Sequence, residues 1–480
     1  MLDVDRVDTA QIDEATIQSL ADRFQGTLVR PMDTDYDADR QVWNGMIDRY
    51  PALIARCAET ADVIAAVNFA RENNLLIAVR GGGHNVAGNA VCDGGVVIDL
   101  SLMRAVEVDA GTHTVRAQGG ATWADVDRKT EPFGLAVPGG MVSTTGVAGL
   151  TLHGGMGHLR RKYGLSIDNL ISVEIVTADG QVRTASRSEN SDLFWAIRGA
   201  GSNFGVITSF EFRAHPIGPA VMLCAPIYAL EDAQVVLPKW QEFMATAPRE
   251  VSSMALFWSV PADPHFPGDL HSRPIVVVAA VYSGPADEGE KLLQPLRELA
   301  TPVLDLSAKE SYIELQTGFD PFFPEGMLCY WKSHYVDEPD DALFAELARR
   351  ASERPSPLSM VEIWHLGGAI QEAGAGETAF SQRGAPYMLS FSATWTDPDT
   401  SEANVDWARN GWAAIHQLSS GHGAYLNFPG FGEEQDAMVR AAYGENYERL
   451  VELKTLYDPA NLFRFNQNIR PASAGSEVRA

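Results

Sequence analysis

The apolar run Leu75-Leu76-Ile77-Ala78-Val79 leads directly into Arg80-Gly81-Gly82-Gly83-His84-Asn85-Val86-Ala87-Gly88. The run reads as a buried strand. Consecutive glycines then allow the chain to turn tightly and to bring peptide N–H groups against a ligand with no Cβ in the way. Arg80 can add positive charge, and His84 supplies a ring that hydrogen-bonds or acts as a nucleophile. Taken alone, the segment suits an anion or cofactor cradle, and it suits an ordinary tight turn equally well.

A chain of 480 residues, 45% hydrophobic and 21% charged, is long enough for two domains with separate cores. Its formal charge of −26 opposes broad contact with nucleic acid or anionic membranes. The amino terminus lacks a basic segment followed by an apolar one, and no apolar stretch reaches membrane-spanning length. The expectation is a cytoplasmic protein with neither a nucleic-acid nor a membrane partner; oligomeric state is left open. Cys57, Cys92, Cys224 and Cys329 are widely spaced and match no metal pattern, which favours isolated core thiols over a disulfide framework. The histidines form no metal cluster either, so no metal is expected.

Short strands are expected near 75–79, 96–100, 105–109, 115–117 and 171–176, the last entering a hairpin at Asp179-Gly180. Helices are expected over 10–27, over 51–73 from the spacing of Val63, Val67 and Ala70, and from Trp123 to Glu131. Pro216 and Pro219 mark a boundary, beyond which a strand at 275–281 and helices at 285–299 and 340–353 suggest an antiparallel sheet with helices. Helix-like residues 433–456 and an aromatic, apolar tail argue for docking against the body. Three segments follow: 1–215, 216–430 and 431–480. Glu362 and His365 have helical spacing for a side-chain pair, while their apolar neighbours equally suggest a strand.

Further landmarks are Gly154-Gly155-Met156-Gly157-His158-Leu159-Arg160-Arg161, Arg198-Gly199-Ala200-Gly201-Ser202-Asn203-Phe204-Gly205-Val206, Tyr425-Leu426-Asn427-Phe428 and Asp458-Pro459-Ala460-Asn461-Leu462-Phe463-Arg464. In this order, with 51–57 and the Gly81–His84 stretch, they resemble the berberine bridge enzyme-like branch of the vanillyl-alcohol oxidase/PCMH flavoprotein superfamily, over nearly the whole chain. The resemblance implies an α+β fold: a PCMH-type FAD-binding unit of two subdomains, completed by the carboxyl tail, with an antiparallel-sheet substrate domain between. It is not a Rossmann arrangement.

By the same resemblance, His84 matches the histidine bonded to the flavin 8α carbon. Gly81, Gly82, Gly83, Asn85, Val86 and Gly88 would line the pyrophosphate, and Arg80 would either help to hold the cofactor or form a structural salt bridge. Thr144, Thr145, Gly146, Gly149 and Gly154 would extend the cradle toward the ribityl chain and ring, with Gly205, Val206 and Ile207 at its later edge. Val142 stands where doubly attached members carry cysteine, so a single covalent attachment is implied. Thr145 matches the oxygen-gate position and, shaped like valine, leans toward an oxidase.

Tyr425 is the acid/base or substrate-orienting candidate, with a structural core tyrosine as the alternative. His153 would contact flavin or assist proton transfer, or be a buried structural histidine; Asn427 would orient flavin or substrate, or cap a turn. Phe428 replaces a catalytic tyrosine of several relatives, Met156 replaces another tyrosine, and Ser390 occupies a position used for a polar catalytic side chain. The implied activity is oxidation of an alcohol, carbohydrate-like or secondary-metabolite substrate by hydride transfer to FAD, with O2 reduced to H2O2. The alternatives are a dehydrogenase with another electron acceptor, an amine oxidase, and a noncatalytic flavin-binding protein.

Overall fold

Ile77–Arg80 forms the edge of a four-stranded mixed sheet, next to Val96–Asp99, then Leu53–Arg56 and Thr27–Val29. The computed structural model describes residues 12–472, apart from 265, 420, 422 and 432–434. Val96–Asp99 pairs in parallel with both Leu53–Arg56 and Ile77–Arg80. Parallel neighbours need crossovers, and the helix Thr60–Glu72 links Leu53–Arg56 to Ile77–Arg80, burying Val63, Ala66, Val67 and Phe69 against the sheet. The helix expected over 51–73 therefore begins later. Leu53-Ile54-Ala55 is a short buried strand, and so brief an apolar run carries no period to separate strand from helix.

The first helix is also shorter than expected, Glu14–Ala21, while residues 10 and 11 lie outside the described residues. It stops before a turn fixed by Asp62, whose carboxylate accepts the amides of Gln25 (2.7 Å) and Gly26 (3.0 Å).

A second sheet is antiparallel throughout, in the order Val106–Asp109, Thr114–Gln118, Gly205–Arg213, Leu170–Thr177, Val182–Ser186. Its core takes in Trp123, Phe194, Phe210 and Phe212, and also Leu426, Tyr443 and Leu450 from much later in the chain. The tail is docked, as its apolar content requires. It forms two helices, Gln435–Tyr443 and Tyr447–Tyr457, in place of one; Gly444, at φ +51°, lies in the turn between them. Residues 433 and 434 lie outside the described residues. Lys454 is fully buried there and donates to Asp458 (2.7 Å), Asn203 O (2.7 Å) and Phe463 O (2.9 Å).

The third sheet has nine antiparallel strands, centred on Val251–Ser259, Pro274–Tyr282, Met360–His365, Tyr387–Trp395 and Leu328–Val336. Helices Ala233–Thr246, Asp341–Ser352 and Ser401–Leu418 cover one face. Alternation along each strand sends Val361 and Ile363 into that helical core and Met360 and Trp364 to the opposite face. The expected helix at 285–299 is Ala286–Leu292 followed by a 3-10 turn. The architecture is α+β, with a two-sheet unit set against an antiparallel-sheet domain. All four cysteines are buried and free. Among the described residues, no helix is long and apolar enough to cross a membrane.

Candidate cofactor cleft and active site

Between the two-sheet unit and the bare face of the third sheet runs a cleft. The glycine loop after Ile77–Arg80 forms part of its wall, and Gly140–Leu152, Ser202–Ile207 and Phe463–Gln467 complete that side. Gly82 and Gly146 touch through their backbones: a Cβ on Gly82 would lie 2.4 Å from Gly146 N. Gly83 sits at φ +73°, where an L side chain is strained. The amides of Gly82, Gly83 and His84 donate to no backbone acceptor among the described residues. Unpaired amides on such a turn form an anion-binding concavity. At Gly149, which also lines the cleft, a Cβ would meet nothing within 4 Å.

His84 is held from two sides. Its ring stacks on Trp43 (centroids 5.2 Å apart, planes 17° apart), and Thr144 Oγ1 lies 3.0 Å from its Nε2. Burial lowers its pKa to about 4, so the imidazole is neutral at ordinary pH. His153 is likewise lowered to about 4 by burial; its Nε2 lies 3.1 Å from Ser202 Oγ.

Of the residues expected at the cofactor, Gly81, Gly82, Gly83, His84, Asn85, Thr145, Gly146, Gly149, Gly205, Ile207 and Asn427 line the cleft. Thr144 reaches it through His84. Five others do not line it. Arg80 turns away, its guanidinium donating to Asp99 (2.8 Å), Asp39 O (2.5 Å) and Gln41 O (3.1 Å), which is the salt-bridge alternative. Val86 packs with Trp43 and Cys329, and Val206 belongs to the core beneath the four-stranded sheet. Gly88, at φ +76°, accommodates Ile47, and Gly154, at φ +115°, lies beneath Phe380 and Tyr425. The glycines share composition but not purpose: some face a ligand, others let chain pack on chain.

The other end of the cleft is built by the third sheet and the 425–428 loop. Tyr425 is 2% exposed, and its hydroxyl oxygen accepts from the amides of Gly155 (3.2 Å) and Met156 (3.1 Å) and from Asn427 Nδ2 (2.9 Å). Burial still outweighs these donors and raises its pKa to about 12. Three donors on one phenolic oxygen would support the charge that develops as its proton leaves. His153 and Tyr425 both border the cleft.

The Glu362–His365 pair does not form. In a strand, residues three apart point to opposite faces. Glu362 faces the cleft, while His365 packs against Tyr387 and Trp240 on the helical side. Glu362 accepts from Ser392 Oγ (2.7 Å), and burial raises its pKa. Ser390 lies one link behind, 2.9 Å from Ser392, and is not a lining residue. Sequence reasoning missed Trp43, Ser392 and Asn466, which also line the cleft. It missed Phe319 and Phe323 as well, on a segment that Asp320 ties to the Gly140–Leu152 loop by accepting from Ser143 N (2.8 Å) and Oγ (2.5 Å). None belongs to a motif with local spacing; the alternation of 360–365 was the one signal that could have placed Glu362.

These residues fit FAD. The free amides and close-packed glycines suit its pyrophosphate, the open space at Gly149 accommodates bulk, and the neutral imidazole of His84 lines the same cleft. Residues 51–186 match the family model described as FAD binding domain, and 424–470 match berberine and berberine like. The chain is 30% identical over 462 residues to an FAD-linked oxidoreductase of Dictyostelium discoideum, covering 95% of this chain and 97% of that one. It is 33% identical over 466 residues to (R)-6-hydroxynicotine oxidase of Paenarthrobacter nicotinovorans, covering 93% and 97%. The crystal structure of 6-hydroxy-D-nicotine oxidase from Arthrobacter nicotinovorans superposes with a TM-score of 0.84 at 30% identity, covering 94% and 98%. Kinship thus runs over nearly all of this chain and of each relative and takes in both halves of the cleft, and the chain belongs to the berberine bridge enzyme-like FAD-linked oxidoreductases of the vanillyl-alcohol oxidase/PCMH superfamily.

Proposed function

We propose that this chain is an oxidase carrying FAD bonded once, through His84, and that its substrate is a small flat aromatic compound bearing an oxidisable amine. The observation that carries the substrate reading is Glu362, the one carboxylate among the described residues lining the cleft, set among Met254, Trp331, Trp364, Met388 and Phe428. Aromatic walls suit a flat ring, and a buried carboxylate needs a cationic or hydrogen-bonding partner. A sugar would leave many hydroxyl groups unpaired against such walls. This moves the expected preference from alcohols and carbohydrates to amines. The relative named for 6-hydroxynicotine, a pyridine bearing a cyclic amine, supports the same direction.

Bound FAD would take two electrons from the C–H next to nitrogen and pass them to O2, which leaves as H2O2. Glu362 would hold the substrate ammonium and receive its proton, and Tyr425 with Asn427 would orient the reacting carbon. Thr145, at the lining, supports access for O2. Val142 has no thiol for a second attachment.

Two measurements test this reading. Denatured wild-type protein is expected to stay yellow, and His84→Ala to release all its flavin; covalent flavin persisting in the variant sinks the attachment. Glu362→Gln is expected to cost about 2 kcal/mol in kcat/KM for an aromatic amine, roughly thirty-fold, and to leave the matching alcohol unaffected. Anaerobic flavin bleaching across amines, alcohols and sugars reads this out, and sugars bleaching faster than amines would overturn the substrate class.

A further inference from the structure

We propose that Trp43 is a positioning residue for flavin attachment: with Thr144 it clamps the His84 ring so that Nδ1 faces the FAD 8α carbon. The proposal rests on the His84 reading above. Trp43 lies 41 positions before His84 and belongs to no helix or strand, yet it is 5% exposed. Its place is over-determined. Its amide donates to Gly83 O (3.2 Å), its indole N–H donates to Phe323 O (3.0 Å), and its carbonyl accepts from Gly326 N (2.9 Å). The next residue, Asn44, donates from Nδ2 to Val86 O (2.7 Å) and Cys329 O (2.9 Å) and accepts from Cys329 N (3.0 Å). Trp43 is therefore pinned to the glycine loop and to the substrate domain at once.

The near-parallel stack fixes the plane of the imidazole, and the hydroxyl of Thr144 at Nε2 fixes its rotation within that plane. When Nε2 carries the hydrogen and donates to Thr144, Nδ1 keeps its lone pair free. The indole also shields the ring from water, which keeps it neutral, as a nucleophile must be. An imidazole free to spin about its Cβ–Cγ bond would spend much of its time misaligned, and loss of alignment costs rate steeply.

The reaction that this clamp serves balances as follows. Nδ1 forms a C–N bond to the 8α carbon; one C–H bond of that methyl group breaks, and Nε2 gives up its hydrogen. Two protons and two electrons leave in total. The electrons pass through the flavin to dioxygen, which with the two protons becomes hydrogen peroxide, and the attached flavin ends oxidised.

The test compares full-length wild type, Trp43→Leu, Trp43→Phe and Thr144→Val, each incubated with FAD in air. Total bound FAD is read by absorbance of the native protein. Covalent FAD is read by fluorescence of the acid-precipitated chain and by intact mass. In Trp43→Leu and Thr144→Val, covalent incorporation per bound FAD is expected to slow at least about five-fold, with Trp43→Phe restoring most of the rate. Thr144 is exposed and valine matches its shape, so that variant tests the clamp without disturbing the core. Wild-type incorporation rates in Trp43→Leu or in Thr144→Val overturn the proposal. Absence of covalent flavin from the wild type itself overturns the His84 reading instead.

Discussion

Gly146→Val is expected to yield a colourless protein that no longer retains FAD. A Cβ at this position would lie 2.4 Å from Gly82 N and 2.8 Å from Gly82 Cα. Those are backbone atoms, so no side chain can swing aside; the two loops must part, and both line the cleft. The free amides of Gly82, Gly83 and His84 would then be displaced from the positions the proposed cradle gives them at the pyrophosphate. Gly149→Ala supplies the contrast. Its methyl group meets no protein atom within 4 Å, and the position lies in the helix Val147–Leu152, where alanine is favoured over glycine by about 1 kcal/mol. The chain should fold as well as wild type or better, yet bind FAD more weakly, because the methyl group enters the space that the proposed cradle gives to the cofactor. Flavin absorbance after gel filtration measures both. Wild-type flavin content in Gly146→Val would refute the placement of the cradle.

Lys454→Met is expected to destabilise the protein by about 3–5 kcal/mol, since it leaves the Asp458 carboxylate buried without its cation. Both side chains are completely inaccessible. Lys454 also satisfies Asn203 O and Phe463 O, and Asp458 accepts the amides of Leu462 (2.7 Å) and Phe463 (2.9 Å). One ammonium group thus ties the last long helix to the segment preceding Gly205 and to the tail that lines the cleft at Phe463. Burial pulls the lysine pKa down to about 8, against Asp458, which pulls it up. Flavin release in urea is the suitable readout, because a chain of several packed units need not unfold in one step. Removing both charges with Lys454→Met and Asp458→Leu together should recover part of the loss, since replacing a whole buried pair with apolar groups is often neutral. A midpoint in the single variant equal to wild type would show that the pair carries no net stability.

Apolar runs and their spacing located Ile77–Arg80, Val96–Asp99, Leu170–Thr177 and Pro274–Tyr282 among the strands and Thr60–Glu72 and Asp341–Ser352 among the helices, because period is a local property and survives in one dimension. They left Val251–Ser259, Leu328–Val336 and Tyr387–Trp395 unread. They failed at Leu53–Arg56, where the run is too short to show a period, and across 433–456, where Gly444 divides a pattern that otherwise looks continuous. The strand and glycine loop ending at His84 could be read for the same reason: three adjacent glycines after an apolar run restrict the backbone whatever lies around them. Kinship legible in the ordered motifs extended this to a flavoprotein.

Tertiary structure alone decided which of those residues serve the cleft. Arg80 is adjacent to the glycines in sequence, yet its charge is taken by Asp99 across the sheet, a partner that no local pattern reveals. Glu362 became a cleft residue and His365 a packing residue only when the strand acquired its register against Val251–Ser259 and Tyr387–Trp395. Trp43 reaches His84 by a path with no periodicity at all. By itself the sequence determined some of the elements, the strand and glycine loop ending at His84, and the family, because each rests on neighbours along the chain. The polar satisfaction of Arg80, the face shown by Glu362 and the ring stacked on His84 depend on segments brought together by packing, and packing leaves no mark at fixed spacing.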